Sequence, residues 1–243
     1  MSGHSKWSTI KHKKAKEDSK RGKIFTKLIK EISIAARLGG GDPNANPKLR
    51  LLLEKAKEIN MPQENSVRAI KRGLGQLPGQ VYESYTYEGY GPSNIAVIVE
   101  TLTDNKNRAI AELRHIFSKN GGSIAENGAV SWMFHKYGVI KATSNNKANL
   151  TEDALIEALI DFDIQDINID KEENMVTITC NSKSLDQIKN ALEQLDFKVE
   201  HAEIEWVAEN GLNIAKEEEE KAYDFLSALE DLDDVQNVYT NLA

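Results

Sequence analysis

Between residues 137 and 204 the apolar spacing alternates between the period of a strand and that of a helix, in the order β-α-β-β-α-β. That order is the ferredoxin-like split βαβ unit. Strands are predicted over 137–143, 164–170, 174–180 and 197–207, and helices over 151–161 and 184–195. A second set of elements brackets the first. Strand 94–102, helix 106–119 and strand 130–134 precede it; the end of the long strand near 205–207, helix 216–231 and strand 235–240 follow it. A further strand is predicted over 81–89. The reading is an α+β chain with one βαββαβ domain inserted in another. A short internal likeness agrees with it: ALIDFDIQDI (158–167) resembles ALEDLDDVQNV (228–238), each at a helix-to-strand junction.

The first ninety residues follow a different rule. All five prolines lie at or before Pro92. Residues 1–22 are lysine-rich with few bulky apolar groups, which predicts a loose arm. Residues 23–38 form an amphipathic helix, with Phe25, Leu28, Ile29, Ile32 and Ala36 on one face and Lys23, Lys27 and Lys30 opposite. The loop GGGDPNANP ends it, and Asn46-Pro47 reads as an N-cap and first helical residue. A second helix runs to about Ile59 and a third from Pro62 to Gly73. The expected organisation is an arm plus three-helix domain over 1–75, a discontinuous α/β domain over 81–134 and 205–243, and an inserted α/β domain over 135–204.

Charge divides along the same line. The whole chain carries a formal net charge of −7, with 31 Lys and Arg against 38 Asp and Glu. Residues 1–72 hold 18 of those cations and 7 of the acids, a net of +11, so residues 73–243 carry −18. A basic segment on an acidic body points to an anionic polymer or surface gripped by the first segment. The cations Lys6, Lys11, Lys13, Lys14, Lys16, Lys20, Arg21, Lys23, Lys27 and Lys30 crowd the first thirty residues, interleaved with Trp7 and His12. Cations that release counterions suit phosphate, and an interleaved aromatic suits unstacked bases. A solvated tail is the bland alternative. No bulky apolar stripe precedes residue 24, which disfavours membrane insertion. Arg68, Lys71 and Arg72 mark the third helix as a possible reader in a helix-turn-helix, with a plain bundle as the alternative. Tyr82, Tyr85, Tyr87 and Tyr90 are either stacking platforms or ordinary sheet residues.

Other chemistry finds little footing. The single cysteine, Cys180, excludes an intrachain disulfide and suits a reducing compartment. None of the five histidines stands at metal-ligand spacing from another ligand, and HExxH and CxxC motifs are absent. The glycines at 39–41 lack the Lys-Ser or Lys-Thr of a phosphate loop. No cofactor, catalytic residue or metal site is expected. The N-terminus lacks the apolar run of a secretory signal, and no stretch approaches the length of a membrane span, so a cytoplasmic location is expected.

The blocks GHSKWSTIKHKKAKEDSKRGKIFTKLIKEI, GGGDPNANPKLR, MPQENSVRAIKRG, YEGYGP, TDNKNR, FSKNGG and WMF resemble the YebC family, also called the PmpR group, which includes the mitochondrial translational activator of cytochrome c oxidase. The resemblance spans the chain and is strongest over 3–134. It implies an N-terminal helical domain, two α/β domains, and a DNA-binding transcriptional regulator. Its mitochondrial and some bacterial members imply instead a ribosome-associated translation factor that contacts RNA. By position, the GHSKW arm falls on the family's basic N-terminal motif. The stretch WVAENGLNIAKEEEEK departs from the family in lacking a proline before the last helix. An enzyme with a site in the cleft between the α/β domains is the remote alternative.

Overall fold

The computed structural model describes residues 21–144 and 151–243. The arm residues Lys6, Trp7, Lys11, His12, Lys13, Lys14, Lys16 and Lys20 lie outside the described residues, and so does the side chain of Arg21. Among the described residues there are seven α-helices and two four-stranded antiparallel sheets. They form two compact units: 21–130 together with Asn213–Leu242, and Ser131–Leu212.

The first unit opens with α1 (Arg21–Gly39), α2 (Pro47–Glu58) and α3 (Gln63–Gly73). The apolar stripe of α1 does what its period predicts. Leu28, Ile32 and Ala35 pack with Leu49, Leu52, Ala56, Met61 and Ala69. Asn46 fixes the turn between α1 and α2. Its side chain accepts from the Leu49 amide at 3.1 Å, capping α2, and donates to the Ala35 and Gly40 carbonyls at 2.9 and 2.8 Å. Gly40 takes φ +85°, the left-handed position that ends α1.

The remaining elements of this unit build the outer sheet: β1 (Glu83–Tyr90), β2 (Ala96–Thr103), α4 (Lys106–Lys119), β3 (Ser123–Ala125), α7 (Lys216–Glu230) and β8 (Val235–Thr240). The strand order is β3-β1-β2-β8. Phe117 of α4 and Phe225 of α7 meet edge to face at 5.0 Å. They close tightly because Gly89 and Gly91 lie under them. A Cβ on Gly89 would come within 2.6 Å of the Phe117 ring, and one on Gly91 within 2.5 Å of Phe225.

The second unit comprises β4 (Phe134–Thr143), α5 (Glu152–Leu159), β5 (Ile164–Asp170), β6 (Met175–Cys180), α6 (Leu185–Gln194) and β7 (Lys198–Ala208), in sheet order β5-β6-β4-β7. This is the ferredoxin-like arrangement expected from the sequence. Its core joins Ile140, Val176, Ile178 and Cys180 to Leu155, Leu159, Ile188 and Leu192. Burial pushes the Cys180 thiol up to about 11, as expected for an inert structural cysteine.

The outer sheet reaches the same layout by a different chain route. The apolar pattern predicts strands for it at 130–134 and 205–207. In the structure Ser131–Met133 is a 3-10 turn leading into β4. The long strand β7 pairs with β4 from Thr143–Lys198 to Phe134–Ala208 and stays wholly in the inserted sheet. The two vacant positions are filled by β3 and by β1, which precedes the rest in sequence. A permuted strand carries the same alternation as an unpermuted one, so periodicity could not reveal the exchange.

One buried network ties the helices to the outer sheet. Asp234 is 4% exposed and accepts from Lys30 Nζ at 2.7 Å, Thr103 Oγ1 at 2.8 Å and Arg108 Nη2 at 2.8 Å. Burial alone would raise the Asp234 carboxyl, but the bonds from Lys30, Arg108 and Thr103 outweigh it and hold the pKa below the ordinary value. Its stabilisation is thus complete at neutral pH and is lost as pH falls below about 4, through the folded-state value. Urea midpoints measured from pH 7 to pH 3 should fall more steeply for the wild type than for Asp234→Asn, which has no charge there to lose.

Candidate nucleic-acid interface

The lysine face of α1 does not all point to solvent. Helix α7 ends on Glu230 and has no basic residue in its last turn. Its last carbonyls lack intrahelical donors and carry the negative end of the helix dipole. Three lysines spaced along one face of α1 meet this helix end and the turn after it. Lys23 Nζ reaches the Asp231 carbonyl at 3.0 Å and its carboxylate at 3.1 Å; Lys27 Nζ reaches the Glu230 carbonyl at 3.0 Å. Lys30 Nζ reaches the Asp233 carbonyl at 2.8 Å and the Asp234 carboxylate at 2.7 Å. Exposure falls along this row. The Lys23 side chain is 44% exposed, whereas Lys30 is 5% exposed as a residue. Lys30, grouped in the sequence with the cations expected on phosphate, is drawn into the fold. Its ammonium is buried against a carboxylate and cannot reach a phosphate without breaking the network. Lys23 and Lys27 are partly committed in the same way.

Helix α3 presents a different case. Ser66 and Ala69 are buried, while Val67, Arg68, Lys71 and Arg72 lie on the exposed side. Arg68 pairs with Glu64 one turn earlier. Helix α3 packs chiefly along α1 and only slightly against α2. The bundle is organised around α1 and not around the 60–62 turn of a helix-turn-helix pair. Lys48, Arg50, Lys55 and Lys57 add exposed cations on α2.

The tyrosines divide. Tyr90 Oη donates to the Ala129 carbonyl at 3.1 Å, and the ring of Tyr82 lies 5.4 Å from Lys30 Nζ. Tyr85 and Tyr87 share one face of β1 and line an open groove against α4, with Lys106, Ile110 and Arg114 opposite and Ile124 of β3 beside them. The ring centroids of Tyr85 and Tyr87 are 6.4 Å apart, and Lys106 Nζ lies 4.8 Å from the Tyr85 centroid. Lys106 and Arg114 were missed by the sequence reading. Their signal was present in KNRAIAELR, where two cations two turns apart flank Ile110 on one helix face. What was hidden is that β1 brings its tyrosines to that face.

The chain matches two family models in succession. Residues 5–76 match the TACO1/YebC protein N-terminal domain, and residues 82–242 match the TACO1/YebC second and third domain. The chain belongs to the TACO1/YebC family. A "Probable transcriptional regulatory protein" of Prosthecochloris aestuarii is 49% identical over 242 residues, covering 100% of this chain and 95% of that one. A protein of the same name from Chlorobaculum parvum is 48% identical over the same coverage. The crystal structure of a hypothetical protein from Aquifex aeolicus superposes with a TM-score of 0.82 at 41% identity, covering 94% of this chain and 93% of that one. At family level, then, the protein is a regulator, and its fold is that of the TACO1/YebC structures. Among the described residues no group of three or more His, Cys, Asp and Glu could hold a metal ion, and no helix is long and apolar enough to cross a membrane.

Within this TACO1/YebC chain the basic residues fall into two classes that mutation can separate. Lys30→Ala should lower stability by about 3 kcal/mol, because it leaves a buried carboxylate short of a partner. Alanine at Arg68, Lys71 and Arg72 together should change stability by less than about 1 kcal/mol. Urea denaturation of the variants measures both.

Proposed function

We propose that the protein is a non-enzymatic, nucleic-acid-binding regulator of gene expression whose phosphate contacts concentrate in residues 1–72. The observation that carries this reading is the division of charge, +11 on those residues against −18 on the rest. Phosphate is drawn to the first segment and repelled by the second. The exposed cations of α2 and α3 lie in the basic segment. The names of the relatives favour DNA as the target and transcription as the process. The working contact set is Lys6, Lys11, Lys13, Lys14, Lys16, Lys20 and Arg21 with Trp7 and His12, continued by Lys23, Lys27, Arg68, Lys71 and Arg72. No cofactor enters the proposal.

The second reading is a translation factor that contacts ribosomal RNA through the same segment. The groove of Tyr85, Tyr87, Lys106 and Arg114 favours it, because paired aromatics beside cations suit bases outside a duplex.

Salt titration tests the shared premise. With about six cations on phosphate, log K against log salt should fall with a slope near −5 on duplex DNA and roughly −4 on a single strand. Glutamate at Lys11, Lys13 and Lys14 should flatten the slope and weaken binding. Affinity indifferent to salt would sink the reading. In-cell crosslinking followed by sequencing separates the targets. An operator preferred by about 10³-fold over random duplex indicates transcription, and recovered ribosomal RNA indicates translation.

A further inference from the structure

A phosphate grip on the first 72 residues does not explain the groove at the edge of the outer sheet. The groove has a volume of about 400 Å³ and opens between β1–β3 and α4. That volume lies within the ~300–1,000 Å³ of small-ligand sites. Its wall on the sheet side is aromatic and its wall on the helix side is cationic. The groove's carboxylate, Glu126, is exposed in the loop after β3.

Tyr87 supplies the second observation. The residue is only 7% exposed, yet among the described residues its hydroxyl has no hydrogen-bond partner. Buried hydroxyls are normally paired; this one is sealed from solvent, so a ligand reaches it only by parting the side chains around it. Burial also raises the Tyr87 hydroxyl pKa, so it remains a protonated donor. Tyr85 is half-buried, and its hydroxyl is anchored on Glu83. Lys106 lies over the Tyr85 face by a cation–π contact, on a flexible stem that can give way to a ring.

We propose that this groove receives one unpaired nucleotide. The base stacks on Tyr85, its edge or the sugar hydroxyl meets Tyr87 Oη, and the flanking phosphates lie between Lys106 and Arg114. A base inside a duplex has both faces stacked and its pairing edge occupied, so it cannot enter. The groove therefore distinguishes strand state, which a lysine-rich arm does not. The proposal rests on the nucleic-acid reading above, and the same chemistry could come from a strand or from a free mononucleotide.

Fluorescence anisotropy on the full-length protein tests it, with labelled oligouridylate and a labelled DNA duplex as probes. Three proteins are compared: wild type, Lys106→Gln with Arg114→Gln, and Tyr87→Phe, which removes only the hydroxyl and retains the ring. Circular dichroism confirms that each is folded. The double variant should bind the single strand roughly tenfold more weakly. Tyr87→Phe should bind it roughly threefold more weakly. Both should bind the duplex as the wild type does. If the wild type binds both probes and the variants match it on both, the groove is idle while the phosphate reading stands. Equal losses on both probes mean general electrostatics and overturn the groove. A wild type that binds neither probe removes the nucleic-acid reading and this proposal together. Where the groove holds, displacement of oligouridylate by millimolar UMP from the wild type assigns it to a free nucleotide; no displacement assigns it to a strand.

Discussion

The buried contact between Lys30 and Asp234 is the constraint on which the first unit depends. Neither charge could be buried alone, because desolvation of an isolated ion far exceeds what packing returns. Each is tolerated because several partners converge on the same point. Asp234 binds Lys30, Thr103 and Arg108 through its carboxylate, and its carbonyl accepts the Leu102 amide at 2.8 Å. The network thus joins α1, β2, α4 and the turn before β8. It fixes the face that α1 shows to the sheet and, through the apolar stripe on the other side, the placement of α2 and α3.

The same contact explains how a basic helix and an acidic body fold together without the helix losing all its outward charge. Only the C-terminal end of the lysine row is fully committed. From Lys30 back to Lys23 the ammonium groups pass from buried to half-exposed, following the end of α7 as it runs out. The partners are mostly backbone carbonyls of Glu230, Asp231 and Asp233. A helix C-terminus rich in acids would be poorly placed by itself, and the lysines of α1 complete it. Positive charge in this chain therefore has two roles divided by position. At Lys30 it holds the protein together, at Lys23 and Lys27 it does so in part, and on α2 and α3 it faces solvent.

Much of this was legible in the sequence, and the limits have a physical origin. Period alone located nearly every helix and strand, the apolar side of α1, and the Asn46 cap. It also gave the complete topology of the inserted domain, whose strands follow one another in sequence. Period states which residues share a face, but not what the face meets. Hence Lys23, Lys27 and Lys30 were grouped correctly and their surroundings were not foreseen. The outer sheet was misassigned for a related reason. Strand β1 occupies the position that an unpermuted chain would give to the segment after the insertion, and local pattern carries no record of such an exchange. The groove of Tyr85 and Arg114 depends on that permutation, so its two walls were visible only as unrelated segments.

The permutation also bears on function. With β1 supplying an inner strand and the three-residue β3 forming the edge, the sheet stops short beside α4, and Tyr85 and Tyr87 extend past the cover that β3 provides. A longer edge strand would continue along β1 opposite Tyr87 and Tyr85 and close that side of the groove. Gly89, one alternation further on, shows the closed case, since Phe117 fills the space above it. Along one strand face the sequence Gly89, Tyr87, Tyr85 therefore passes from sealed core to open groove. The open end is also where α4 begins with Lys106. Core packing and groove are two ends of one strand face, so the fold that seals Phe117 also sets the tyrosines against the cations.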